Sequence, residues 1–109
     1  MDEHEFRKRS DAALDKLKQR LLELGDAFGF EVEGSGERLE LLFEDADGTR
    51  FVISPNSAAR QIWISALTTS FKLGWSDEAG GWQLEKTGES LAQVVGRILT
   101  QQLHTTVVL

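Results

Sequence analysis

The residues in this sequence with chemistry to offer are mostly carboxylates. Of 109 residues, eighteen are Asp or Glu, against twelve Lys or Arg, two His and no Cys. Without cysteine there is no thiolate metal site, no iron–sulfur ligation and no redox dithiol. His4 and His104 stand alone near the two ends and are read as solvent-facing side chains. Carboxylate pairs such as Glu31 with Glu33 recur, but general acid–base work needs one carboxyl of raised pKa in a cleft, and nothing in their spacing marks one. HExxH, GxSxG, a glycine-rich phosphate loop and a Cys–His arrangement are all missing, so no enzyme is expected. A formal charge of -6 favours cations and basic protein surfaces as partners over phosphate backbones and anionic membranes. The one basic run, Arg7-Lys8-Arg9, sits among acids, so no nucleic-acid partner is expected.

The elements that must position these groups follow from apolar spacing. Between Phe6 and Phe28, the residues Phe6, Ala13, Leu14, Leu17, Leu21, Leu24 and Phe28 mostly step by three or four, which predicts a helix with one buried stripe, ended by Gly25 or Gly29. Phe30 and Val32 alternate with Glu31 and Glu33 in a short strand. Gly34-Ser35-Gly36 reads as a turn, and Leu39, Leu41 and Phe43 as the buried face of a second strand. Asp45 to Gly48 supplies the next reversal. A third strand runs from Thr49 to Ser54 and is ended by Pro55, and a fourth covers Arg60 to Ser65. In that fourth strand, period-two alternation sets Trp63 opposite Ile62 and Ile64, so the indole faces outward, where it suits an interaction anchor. Phe71, Leu73 and Trp75 mark a fifth strand, and Trp82 with Leu84 a sixth. Leu91, Val94, Val95, Ile98 and Leu99 mark a second helix capped by Thr87 or Ser90. In the tail from His104 to Leu109, Val107, Val108 and Leu109 are expected to fill the groove between the helices.

Helix, strand meander, helix is an α+β order. The expected fold is a two-layer sandwich, an antiparallel sheet of five to six strands with the N- and C-terminal helices on one face, forming a single domain over residues 1–109. The acidic start has no apolar core of a signal peptide, and no window is long and apolar enough to span a membrane. A cytoplasmic monomer with no membrane partner is expected. All the excess negative charge lies in residues 1–50, with fourteen acids and eight bases, whereas residues 51–109 carry four of each.

Val52-Ile53, then Arg60-Gln61-Ile62-Trp63-Ile64-Ser65, an aromatic strand, Trp82 and Thr87-Gly88-Glu89-Ser90-Leu91 together resemble the frataxin family. The acidic start Met1-Asp2-Glu3-His4-Glu5-Phe6 and Thr100-Gln101-Gln102 look most like its bacterial branch. The resemblance implies a protein that binds ferrous and ferric iron weakly at its surface and modulates iron–sulfur cluster assembly by docking on the cysteine desulfurase and scaffold protein. Carboxylate oxygens suit ferric iron and hold ferrous iron loosely when exposed. The positions matching the family's acidic ridge are Glu3, Asp11, Glu23, Asp26, Glu31 and Glu33, with Glu44 on the neighbouring strand. Asp11 and Asp15 lie one helical turn apart and Glu23 and Asp26 three residues apart, spacings at which a pair can share a cation. The matching partner-contact region is Asn56, Arg60, Gln61 and Trp63. The chain departs from the family where Lys16, Lys18, Gln19 and Arg20 interrupt the ridge, where Ala66-Leu67-Thr68-Thr69-Ser70 replaces a Ser-Gly-Pro-like turn, and where Gly74 replaces an Asp. The alternative reading is an interaction module of the same fold, docking through the sheet face without significant iron binding.

Overall fold

A computed structural model describes all of residues 1–109. The first helix, α1 (Glu3–Phe28), begins earlier than the apolar spacing implies, because the Asp2 side chain accepts the Glu5 N–H at 2.7 Å and caps it. It ends at Gly29, whose backbone is left-handed and whose N–H returns to the Gly25 carbonyl. Its buried stripe is Phe6, Ser10, Leu14, Leu17, Leu21, Leu24 and Gly25. Ser10 fills the step between Phe6 and Leu14 that apolar spacing left open, and its hydroxyl donates to the Arg7 carbonyl, so its burial leaves no donor unpaired.

Six strands follow in one antiparallel meander whose spatial order is the chain order: β1 (Phe30–Ser35), β2 (Arg38–Phe43), β3 (Arg50–Asn56), β4 (Gln61–Ala66), β5 (Thr69–Ser76) and β6 (Gly81–Leu84). Alternation turns Phe30, Leu39, Leu41, Phe43, Phe51, Ile53, Ile62, Ile64, Leu73 and Trp82 inward, and α1 and α2 (Leu91–Leu103) cover that face. Phe6 packs edge-on against Trp82, which packs edge-on against the half-buried Trp75. The second helix carries a capping box: Ser90 accepts from the Gln93 N–H, and Gln93 accepts from the Ser90 N–H.

The structure corrects three local readings. Pro55 does not end the third strand; it lies inside β3 opposite Ile62. It stands beyond Ile53, the last β3 residue paired with β2, so its missing N–H costs no bond on that side. Gly34 and Ser35 belong to β1, and the reversal falls on Gly36 and Glu37. Gly34 has φ +102°, and a Cβ there would lie 1.9 Å from the Arg38 carbonyl oxygen, so the hairpin closes only over a glycine. In the tail, Val107 is buried and Leu109 half-buried, but Val108 is 72% exposed. Extended backbone alternates its side chains. Hydrogen bonds hold this one by its main chain, with the Val107 N–H donating to the Thr100 hydroxyl and Arg20 donating to the Val108 carbonyl.

Each edge of the sheet is tied to the rest of the chain at one end. Along β1, the Lys18 ammonium donates to the Gly34 carbonyl at 2.6 Å, and α1 comes so close at Gly25 that a Cβ there would sit 2.6 Å from the Phe30 carbonyl oxygen. Along β6, Leu84 donates to the Glu89 carbonyl and accepts from the Gly88 N–H.

Candidate functional site

All eight acids of the expected ridge are exposed, because α1 turns them away from its buried stripe and β1 turns its glutamates to the outer face. Two are neutralised within the helix, Glu3 by Arg7 at 3.4 Å and Glu23 by Arg20 at 2.9 Å. Asp11, Asp15, Asp26, Glu31, Glu33 and Glu44 form no ion pair. Asp11 and Asp15 line one groove of about 800 Å³ between α1, the β1–β2 turn and the β3–β4 turn. Glu37 lines the same groove. Sequence spacing missed it, because only the observed register puts Glu37 at the hairpin tip beside α1. Glu31 lies opposite Leu42 and Glu33 opposite Glu40 on the outer sheet face. Asp26 lies near the far end of α1 and Glu44 just past the end of β2. No three Asp, Glu or His side chains gather into a group able to hold a metal ion.

The basic residues that interrupt the ridge are largely occupied by the fold. Lys18 satisfies the Gly34 carbonyl, and Arg20 joins Glu23 to the tail carbonyl of Val108. Lys16 alone of the three is exposed and has no ion-pair partner.

On the outer face of the sheet, Trp63 is 36% exposed while Ile62 and Ile64 beside it are buried. Its indole N–H donates to Gln61 Oε1 at 2.9 Å, and the Lys72 ammonium lies 4.8 Å from the ring centroid. These two contacts hold a large aromatic surface in one position in contact with water. Asn56 is half-buried, and its Oδ1 accepts the Ala59 N–H, closing the β3–β4 turn. Arg60 turns away from this face: its backbone is left-handed with φ 54°, and its guanidinium donates to the Ser57 carbonyl and lies over the Phe6 ring, toward α1. Gly74 lies between Gln61 and Gln83 on the outer face, with open space where a side chain would stand. A shallow depression there is bordered by Lys72, Ser76 and Glu85.

The sequence profile of the frataxin-like domain matches residues 1–105. This chain belongs to the frataxin-like family. Among similar proteins, the iron–sulfur cluster assembly protein CyaY of Pseudomonas fluorescens (strain Pf0-1) is 28% identical over 94 residues, 84% of each chain. The protein of that name from Herminiimonas arsenicoxydans is 29% identical over 111 aligned residues, covering 100% of this chain and 96% of its own. The frataxin of Psychromonas ingrahamii, studied for stability modulation within the CyaY family, superposes with a TM-score of 0.73 at 22% identity, covering 98% of this chain and 96% of its own. At that identity the superposition bears on fold alone. Within this family frame, the frataxin-like chain has two distinct surfaces: a groove with three carboxylates on the α1 side, and a fixed tryptophan on the open face of the sheet.

Proposed function

We propose that this chain acts in iron–sulfur cluster assembly as a docking modulator of the cysteine desulfurase and its scaffold protein. Its similarity to proteins named for iron–sulfur cluster assembly supports the process. The observation that carries the docking reading is Trp63, exposed on the outer sheet face and fixed by Gln61 and Lys72. A preordered aromatic anchor buries a large area on binding with little entropy left to lose. Gln61 sets the indole, and Asn56 shapes the turn beside it. Arg60 contributes through the shape of that same turn. The chain is read as a monomer that binds through its faces.

Iron enters this reading as cargo held weakly by carboxylate pairs. Asp11 and Asp15, with Glu37 across the groove, are the leading donors. Glu31 and Glu33 come next, followed by Asp26 and Glu44. Glu3 and Glu23 must first give up their arginines, so they contribute least. Exposed oxygen donors in twos suit a hard cation at low affinity. The second reading, docking without useful iron affinity, is favoured by one observation: no three acids converge.

Anaerobic titration with ferrous iron, followed by backbone amide NMR, separates the two. Saturable shifts or broadening centred on Asp11, Asp15 and Glu37 support iron delivery, and an undisturbed spectrum leaves the docking module alone. Docking itself is tested by Trp63→Ala, which should abolish the chain's effect on desulfurase turnover while leaving the fold intact. An unchanged effect would remove the sheet face from the account.

A further inference from the structure

The open face of the sheet differs in charge from the rest of the chain. Across β2, β3 and β4, the half-buried Leu42 and Val52 and the exposed Trp63 form a diagonal apolar stripe, each at a position diagonal to the next in the strand register. Arg50 stands directly opposite Leu42, and Lys72 directly opposite Trp63. Arg38 begins β2 on the same face, and the side chains of Arg38 and Arg50 are 61% and 54% exposed. The one acid among these strands is Glu40, 20% exposed and clasped between Arg38 at 3.1 Å and Arg50 at 3.8 Å. The remaining acids lie at the margins, Glu31 and Glu33 on β1 and Glu85 just past β6. From β2 to β5 the face therefore carries three cations against one largely covered carboxylate beside the apolar stripe, with Glu31 opposite Leu42 on the edge strand β1, in a chain whose formal charge is -6.

We propose that the surface docking on this face is a partner protein's apolar patch rimmed by carboxylates. This rests on the reading that Trp63 is the docking anchor, and adds the sign of charge its partner must bring. Like charges brought together in a drying interface are strongly unfavourable, so a basic rim would repel Lys72 and the two arginines that share Glu40, and a neutral rim would desolvate Lys72 without a partner. A carboxylate rim instead gains steering during approach and pairs those cations on contact. A second copy of this chain packed face to face would set the cluster of Arg38, Arg50 and Lys72 against the same cluster, which argues for a different protein.

The test measures association of the full chain with the assembled cysteine desulfurase–scaffold complex at low and high salt, for wild type, Trp63→Ala, Lys72→Gln, Lys72→Glu and Arg50→Glu. Lys72→Gln should slow association severalfold and the two reversals by about tenfold at low salt, with a shallower salt dependence and, for Arg50→Glu, which leaves the Trp63 contacts in place, a nearly unchanged dissociation rate, as expected for a rim charge. The graded Gln-to-Glu series, with folding checked by amide spectra, separates charge from misfolding. If Trp63→Ala abolishes binding while the reversals leave the rate unchanged or raise it, the docking reading stands and the acidic partner is overturned. If Trp63→Ala leaves binding intact, both fall. If sedimentation shows self-association that Lys72→Glu disrupts, the occupant is a second copy and the proposal is again overturned.

Discussion

At Gly25 the backbone of α1 comes close against β1. A Cβ at this position would lie 2.6 Å from the Phe30 carbonyl oxygen, a backbone atom that cannot swing aside. In an exposed helix, Gly to Ala stabilises by roughly 1 kcal/mol. Here the sign should reverse, with Gly25→Ala costing about 2 kcal/mol as the helix is pushed off β1. Urea denaturation reads this directly, and a midpoint at or above wild type would show that the contact has slack. Trp63 is the contrasting residue. It supports no core neighbour from the outer face, so Trp63→Ala should cost about 1 kcal/mol from its contacts with Gln61 and Lys72, too little to unfold the chain. That separation makes its docking phenotype interpretable: function lost at Trp63 is lost at the surface.

The β4–β5 hairpin shows an element working against its own residues. Its two-residue turn places Leu67 at φ 53° and Thr68 at φ 58°, in the region that suits Asn and Gly and penalises a β-branched side chain. Leu67→Asn with Thr68→Gly should therefore raise stability by about 1 kcal/mol or more without moving the strands. A fall in thermal midpoint would mean that packing by the half-buried Leu67 outweighs the backbone gain. The sequence named this segment as a departure but could not reveal the strain, since positive φ is forced by the register Ala66 to Thr69 and not by Leu67 or Thr68 themselves. The same limit explains the other element-level differences. Period-two alternation in β2 and β4 and the stripe of α1 announce themselves, because burial selects residue type along the whole element. Element ends depend on single contacts: Asp2 reaching Glu5, Pro55 sheltered by the short reach of β2, Gly34 facing the Arg38 carbonyl. The outward indole of Trp63 was legible in the alternation of its strand, but the Glu37 contribution to the acidic groove was not, because it exists only once a hairpin tip meets a helix.

At the scale of the molecule, two carboxylates, the exposed Asp45 and the half-buried Glu89, tie separate segments together. Asp45 accepts from Thr49 in its own loop and from Gln102 near the end of α2, and Glu89 forms a paired contact with Arg97 at 2.9 and 3.0 Å while accepting from Thr87. Hydrogen bonds from the Thr49 side chain and backbone hold the Asp45 carboxyl below its ordinary value, with a smaller lowering by Gln102. The Arg97 guanidinium does the same to Glu89, and Glu89 in turn raises Arg97, which stays charged throughout. For a group whose folded pKa is depressed, the unfolded chain takes up its proton first as pH falls. The stabilisation is thus fully present above the ordinary carboxylate range and drains away as pH drops through the folded values, below about pH 4. Denaturant unfolding at a series of pH values should show wild type losing stability on that descent. Asp45→Asn with Glu89→Gln should be less stable at neutral pH and show a flatter decline. If the double variant followed the wild-type slope, the acid response would belong to carboxylates other than these two, and the links from the β2–β3 loop to α2 and from the α2 approach to its second turn would carry no measurable part of it.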